Sequence, residues 1–243
     1  MRRFRWAAAA AAMGALAVTT SAQAQDPAPV EVRAHGNSFF DSANLRFFPA
    51  AVTAAVGQSV RWTNADTAGP HPATEDHDLW DLGGSYGGTP TSPPGFGPGT
   101  SVSRAFEAGA HRYHCRVHNS MTGVVNVPVL VVSAPRRVSQ LIKVRVRIPG
   151  TRRRAVFRVR VARTVTDVAM RWAAAPSGPD RVFDVEVRRG ERPYTRYATG
   201  THRDFGALVG QSPGTAFAIR ARVRDKRDPS RATDWSPPVT INS

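Results

Sequence analysis

Beyond residue 25 no stretch of this chain repeats its apolar residues at helical spacing. Short runs alternate apolar and polar residues instead, punctuated by Gly and Pro: VEVRA (30–34), SVRWTN (59–64), SVSRAF (101–106), HRYHC (111–115) and GVVNVPVLVV (123–132). A period of two puts successive side chains on opposite faces of a strand. Regular short strands between turn residues predict an antiparallel sandwich or barrel. The pattern continues in LIKVRVRI (141–148), AVFRVRV (155–161), VAMRWAAA (168–175), FDVEVRRG (183–190), AFAIRARVRD (216–225) and DWSPPVTI (234–241). The whole chain is therefore expected to be all-β. LIKVRVRI and AVFRVRV, separated by PGTRRR, predict two half-buried strands whose outer faces are basic. Residues 78–100 hold seven Gly and four Pro and read as a long loop.

Charge divides the chain. The 243 residues carry a net charge of +15, with a pI near 11.5. Residues 26–132 contain six Arg, no Lys and nine acids, a net of −3. Residues 133–243 contain 24 Lys plus Arg against nine acids, a net of +15. Two separately built domains are expected, 26–132 and 141–243, with SAPRRVSQ (133–140) as the linker.

The first 25 residues, MRRFRWAAAAAAMGALAVTTSAQAQ, combine three Arg, an apolar run from Trp6 to Val18 and a small-x-small end at Ala22–Ala24. This is the form of a secretory signal peptide over residues 1–24, too short to span a bilayer. No other apolar run is long enough for a transmembrane span, and the expected location is outside the cytoplasm, in the envelope or beyond. Exported cysteines normally pair. This chain has one cysteine, Cys115, which therefore serves as a free thiol, an intermolecular bridge or a protected ligand.

Cys115 lies in HRYHCRVHNSM (111–121), with His118 and Met121 following at Cys-x2-His-x2-Met spacing. Alternation on HRYHC places Tyr113 and Cys115 on one face and Arg112 and His114 on the other, so His114 points away from a site at Cys115. A thiolate, an imidazole and a thioether form a soft donor set suited to copper, and one more imidazole completes a trigonal His2Cys set with a weak axial Met. His71 and His77 are the candidates. The turn residues of ADTAGP bring the chain back toward a strand at His71 and favour it, whereas His77 sits in the acidic stretch EDHDLWD. A structural zinc site would use more thiolates. A binuclear copper centre needs two cysteines, and a copper oxidase needs further His clusters, while the second half holds only His202.

These residues resemble the cupredoxins, the small blue copper proteins, over about residues 28–132. The likeness rests on FFPAAVTAAVGQSVRWTNAD (47–66), on Gly-Pro-His ending at His71, and on AGAHRYHCRVHNSMTGVVNV (108–127), whose compact loop resembles that of the amicyanins, shorter than the loop of plastocyanins. The resemblance implies a Greek-key sandwich holding one copper ion, with His71, Cys115 and His118 as equatorial ligands and Met121 as the axial one. It implies one-electron exchange with a redox partner protein and no enzymatic chemistry. A copper store without redox exchange, and an adhesion module whose fold has lost its metal, are the alternatives. Two positions depart from the family: Pro72 stands where Asn often follows the first histidine, and Val117 where Pro often precedes the second.

The second half resembles a fibronectin type III module, an immunoglobulin-like sandwich. The likeness rests on Trp172, the alternation Phe183-Val185-Val187, the run Phe217-Ile219-Ala221-Val223 and a terminal Trp-Ser-Pro at 235–237. Arginines without interleaved aromatics in an exported protein fit solvated strand faces rather than a nucleic-acid surface. The expected partner of this charge is an anionic cell-envelope surface, whether cell wall or lipid headgroups, or an acidic redox partner. No set of His, acid and nucleophile suggests catalysis.

Overall fold

The protein is described from a computed structural model, over residues 27–36, 44–67, 69–83, 95–118 and 120–243. The segment expected as a signal peptide and the middle of the Gly/Pro-rich loop fall outside the described residues. Sixteen strands among these residues form four sheets. No helix among them is long and apolar enough to cross a membrane.

The first half is a two-sheet sandwich. One sheet has the order β2 (Arg46–Phe48), β1 (Val30–His35), β4 (Ser59–Asn64), β7 (Ser101–Ala105). The other has the order β3 (Ala51–Thr53), β9 (Thr122–Val127), β8 (Gly109–His114), β5 (Ala73–Glu75), β6 (Asp81–Leu82). The pairs β1–β4 and β3–β9 are parallel and the rest antiparallel. Alternation turns Val60, Trp62 and Asn64 of β4 and His111 and Tyr113 of β8 inward. The Trp62 and Tyr113 rings then meet edge to face, 5.6 Å apart, with Phe106, Trp80 and Phe47 around them. Aromatic pairs of this geometry add roughly 0.5–1.5 kcal/mol each beyond the area they bury. Gly123 lies directly opposite Tyr113 across the β8–β9 ladder, where a Cβ would stand 2.4 Å from the ring.

The second half is a sandwich of three and four strands. β10 (Leu130–Arg147), β11 (Arg154–Arg171) and β14 (Phe205–Gln211) make one sheet. β13 (Thr195–Thr201), β12 (Arg181–Arg189), β15 (Ala216–Asp225) and β16 (Val239–Asn242) make the other. Phe183, Val185, Phe217, Ile219 and Val223 are buried between them, and Trp172 closes the end with its indole N–H donating to the Arg203 carbonyl at 2.6 Å. On the outer face of β15 the arginines are paired: Arg220 with Glu186, and Arg222 and Arg224 with Asp184.

Two expectations are corrected. Residues 133–140, expected as a linker, are strand within β10, paired residue by residue with 161–168 of β11. Nothing in SAPRRVSQ stops a strand that is an edge, because the partnerless side of Pro135 needs no donor. The strands at 141–148 and 155–161, expected as half-buried, are exposed on both faces. They lie in the outer part of a hairpin of 18-residue strands whose other neighbour, β14, reaches only residues 166–171.

The halves meet through hydrogen bonds as well as apolar packing. The Ala108 amide donates to the Trp172 carbonyl at 2.7 Å, the Ala110 amide to the Asp234 carbonyl at 3.0 Å, and Arg112 pairs with the Asp234 carboxylate at 2.6 Å. The buried apolar residues form one continuous cluster through both halves.

Candidate metal centre

Cys115 follows β8, and its connection to β9 is wound by its own backbone. The Cys115 amide donates to the Met121 carbonyl at 2.9 Å, the His118 amide to the Cys115 carbonyl at 3.1 Å, and the Met121 amide to the His118 carbonyl at 2.9 Å. This tight loop turns His118 back over the cysteine. Cys115 and Met121 are fully buried, while His118 is half-buried.

His71 comes from the opposite direction. Its amide bonds the Phe96 carbonyl in a single β-bridge, and its ring is fully buried. The loop leading to it is pinned by Asn64, whose side-chain amide donates to the carbonyls of Gly69 and Phe96 at 2.9 and 3.0 Å. The Asn64 side-chain oxygen accepts from the Asp66 amide at 2.9 Å.

The three donors converge. Sγ of Cys115 lies 3.8 Å from Nδ1 of His71 and 3.6 Å from Nδ1 of His118, and the two imidazole rings are 5.0 Å apart. Among the described residues, His71, Cys115 and His118 are the one grouping of His, Cys, Asp and Glu that can hold a metal ion. A first-row metal about 2.0–2.1 Å from a nitrogen and about 2.3 Å from a sulfur sets the donors of a trigonal site about 3.8 Å apart. The observed spacings match that span, and a thiolate with two imidazoles is a copper-type set. Met121, buried at the base of the same loop, is the fourth sequence candidate.

Asp66 is the residue that sequence reasoning missed. Its nearly buried carboxylate accepts from Nε2 of His71 at 2.5 Å and from the Gly36 amide at 2.7 Å. A carboxylate only accepts, so the ring proton sits on Nε2 and the Nδ1 lone pair faces Cys115. The signal in the sequence is faint: an acid two residues after the buried Asn64, in a turn that ends at the histidine.

Burial pushes the Cys115 thiol up, while backbone hydrogen bonds from His118 and Val117 pull it back. His118 is held below its ordinary value by burial first and by His71 second, against the attraction of Asp66. A neutral His118 keeps a lone pair on offer.

The other histidines of the region do different work. His77 lies in a turn around the buried Glu75, whose carboxylate accepts from the amides of His77 and Leu79. His114 pairs outside with Asp76 at 2.8 Å. His111 is buried in the core, bonded to the Glu107 carbonyl at 2.9 Å. The second half braces this end as well. Arg231 donates to the His77 and Asp78 carbonyls, Arg181 to the Leu79 carbonyl, and Asp78 in turn holds Arg116 beside the cysteine at 2.9 Å.

No protein-family model matches the chain, and no curated protein sequence matches it. Among solved structures it is similar to a copper-containing nitrite reductase from Thermus scotoductus SA-01, at 26% identity and a TM-score of 0.31, over 45% of this chain and 24% of that one. It is also similar to a purple cupredoxin from Nitrosopumilus maritimus, at 27% identity and a TM-score of 0.31, over 40% of this chain and 98% of that one. A copper(I) form of an amicyanin variant matches at 24% identity and a TM-score of 0.29, over 41% of this chain and 81% of that one.

Proposed function

We propose that this chain is an exported cupredoxin-type protein that holds one copper ion and passes single electrons to and from a partner protein. The observation that carries the reading is the convergence of one buried thiol and two imidazole Nδ1 atoms at 3.6–3.8 Å. His71, Cys115 and His118 would be the equatorial ligands, and Met121 the weak axial one. Copper held there supplies a one-electron couple between Cu(II) and Cu(I). The chain's part is to keep one arrangement through both states. Asp66 fixes the His71 ring and its tautomer, the three backbone bonds of the 115–121 loop fix Cys115 and His118, and the buried aromatic core keeps water from the sulfur. The half-buried His118 ring is the group nearest solvent and the natural place for electron entry and exit. In this reading the site exchanges electrons alone, with no bond made or broken in a substrate.

The second half would be a fibronectin type III-like sandwich, a reading supported by its division into three and four strands and by the buried Trp172 at one end. Its charge would draw the protein to the anionic surface of the cell envelope, where an exported redox carrier meets its partners.

Loading the purified protein with Cu(II) tests the metal reading. The expected result is an intense visible thiolate-to-copper absorption that Cys115→Ser abolishes, with reversible voltammetry separating a carrier from a store. Weak, ordinary tetragonal copper signals would overturn it.

A further inference from the structure

Beyond residue 138 the β10–β11 hairpin leaves the sandwich. β14 stops at residue 166 of β11 and β10 has no other partner, so residues 139–162 form a two-stranded ribbon with a tip, about 30 Å long. The register pairs Ile142 with Val159, Val144 with Phe157 and Lys143 with Arg158. One face therefore carries Ile142, Val144, Val146, Phe157, Val159 and Val161 with Gln140 and Ala155, and the other Lys143, Arg145, Arg147, Arg154, Arg158 and Arg160 with Leu141 and Val156 between them. Phe157 is 53% exposed and Val146 46%. The tip is a set turn: the Thr151 amide donates to the Ile148 carbonyl at 3.2 Å across Pro149 and Gly150, the latter at φ +75°. That is the conformation Pro-Gly favours in a type II turn.

A two-stranded ribbon with an open apolar face is marginal in water, and exposed apolar patches of this extent mark contact surfaces. The charge indicates what the contact is. No Asp or Glu occurs between Glu107 and Asp167, and among the described residues no ion pair involves any of the nine cations of 139–163. A second copy would cover the apolar face but bring two cationic arms together and neutralise neither. A nucleic acid would neutralise the cations and leave the apolar face in water. An anionic bilayer satisfies both faces. The ribbon is two strands wide, about 5 Å between strands, so arginine and lysine heads reach past its edges while their stems stay over the backbone.

We propose that residues 139–162 are a membrane-docking arm that lays its apolar face into the acyl boundary of an anionic lipid bilayer, with its cations at the lipid phosphates. The proposal rests on the envelope-surface part of the reading above and is independent of the copper site.

The test is co-sedimentation of the full mature protein with vesicles of phosphatidylcholine, alone or mixed with phosphatidylglycerol. Binding is expected on the mixed vesicles and not on the neutral ones. Phe157→Trp should gain fluorescence that acyl-brominated lipids quench. Val144→Ser with Phe157→Ser should weaken binding at least about tenfold with every cation retained, and Arg158→Gln with Arg160→Gln should weaken it in a salt-dependent way. Both double variants keep the cores intact, which an unchanged thermal melt verifies. If the serine variant binds like the parent and salt alone releases it, the arm is an electrostatic tether: insertion is overturned and the envelope reading survives. Absence of binding to anionic vesicles overturns both. A dimer in sedimentation that the serine variant dissociates, or displacement from vesicles by DNA, assigns the arm to a second copy or to a polyanion and overturns the proposal.

Discussion

The β8–β9 connection and the β10–β11 hairpin are built alike, as alternating antiparallel strands joined by a short turn, yet they end in opposite environments. In the first, His111, Tyr113 and Cys115 face a second sheet that covers them, and a chain of hydrogen bonds runs from Asn64 to Asp66 to His71, while His111 Nδ1 and the Tyr113 hydroxyl are buried without a partner among the described residues. In the second, an apolar face of similar extent meets no second sheet, because its neighbours end at residue 166. Alternation decides which side chains share a face. Whether that face becomes core or contact surface depends on what packs across it.

The contrast is broken most severely at Trp62. Trp62→Ala should cost about 3–5 kcal/mol, as large-to-small changes in packed aromatic cores do, and lower the melting temperature accordingly. Gly123→Ala drives a methyl into the Tyr113 ring, which the surrounding core prevents from moving away. A loss of about 1–3 kcal/mol in chemical denaturation is expected. Asp66→Asn should leave the fold in place and weaken copper binding about 10–100-fold in a chelator competition. Its amide group can turn and donate to Nε2 of His71, which stabilises the tautomer that takes the Nδ1 lone pair away.

A smaller effect is set by His111. Burial, the largest cause, holds its pKa below the ordinary 6.5, against the opposing pull of Glu107. The folded value is depressed, so the stability it contributes is complete above pH 6.5 and is lost as pH falls below that value toward the folded one. Denaturation midpoints compared at pH 7 and pH 5 should show this decline, and His111→Gln, which keeps a donor for the Glu107 carbonyl, should flatten it. Smallest of all is Phe157→Ser. On the exposed ribbon it should change the melt by no more than about 0.5 kcal/mol, and a loss like that of Trp62→Ala would mean that the arm is packed after all.

Much of this organisation was legible in order. SVRWTN and, from Ile219 onward, AFAIRARVRD carry the period of two, and the structure makes them β4 and β15 with Trp62 and Asn64, and Ile219, Ala221 and Val223, facing inward. His71, Cys115 and His118 were legible because chemistry limits what a lone cysteine among histidines can bind. Four strands of two or three residues, β2, β3, β5 and β6, were too short for any period to show. Asp66 was hidden because its role is to touch a residue that the turn brings back to it. The arm was misjudged because the pattern of an amphipathic strand is the same whether its apolar face is covered or open.

By itself, then, the sequence determined the all-β architecture, the inward and outward faces of the principal strands, the division of charge and the three convergent metal-ligating candidates. These depend on local alternation, on turn chemistry and on the types of donor atom. Tertiary structure alone decided the carboxylate behind His71, the hydrogen-bonded seam between the halves, and the projection of residues 139–162 away from any second sheet. Each of those depends on which distant segment packs against which face, and a strand carries no record of that in its own residues.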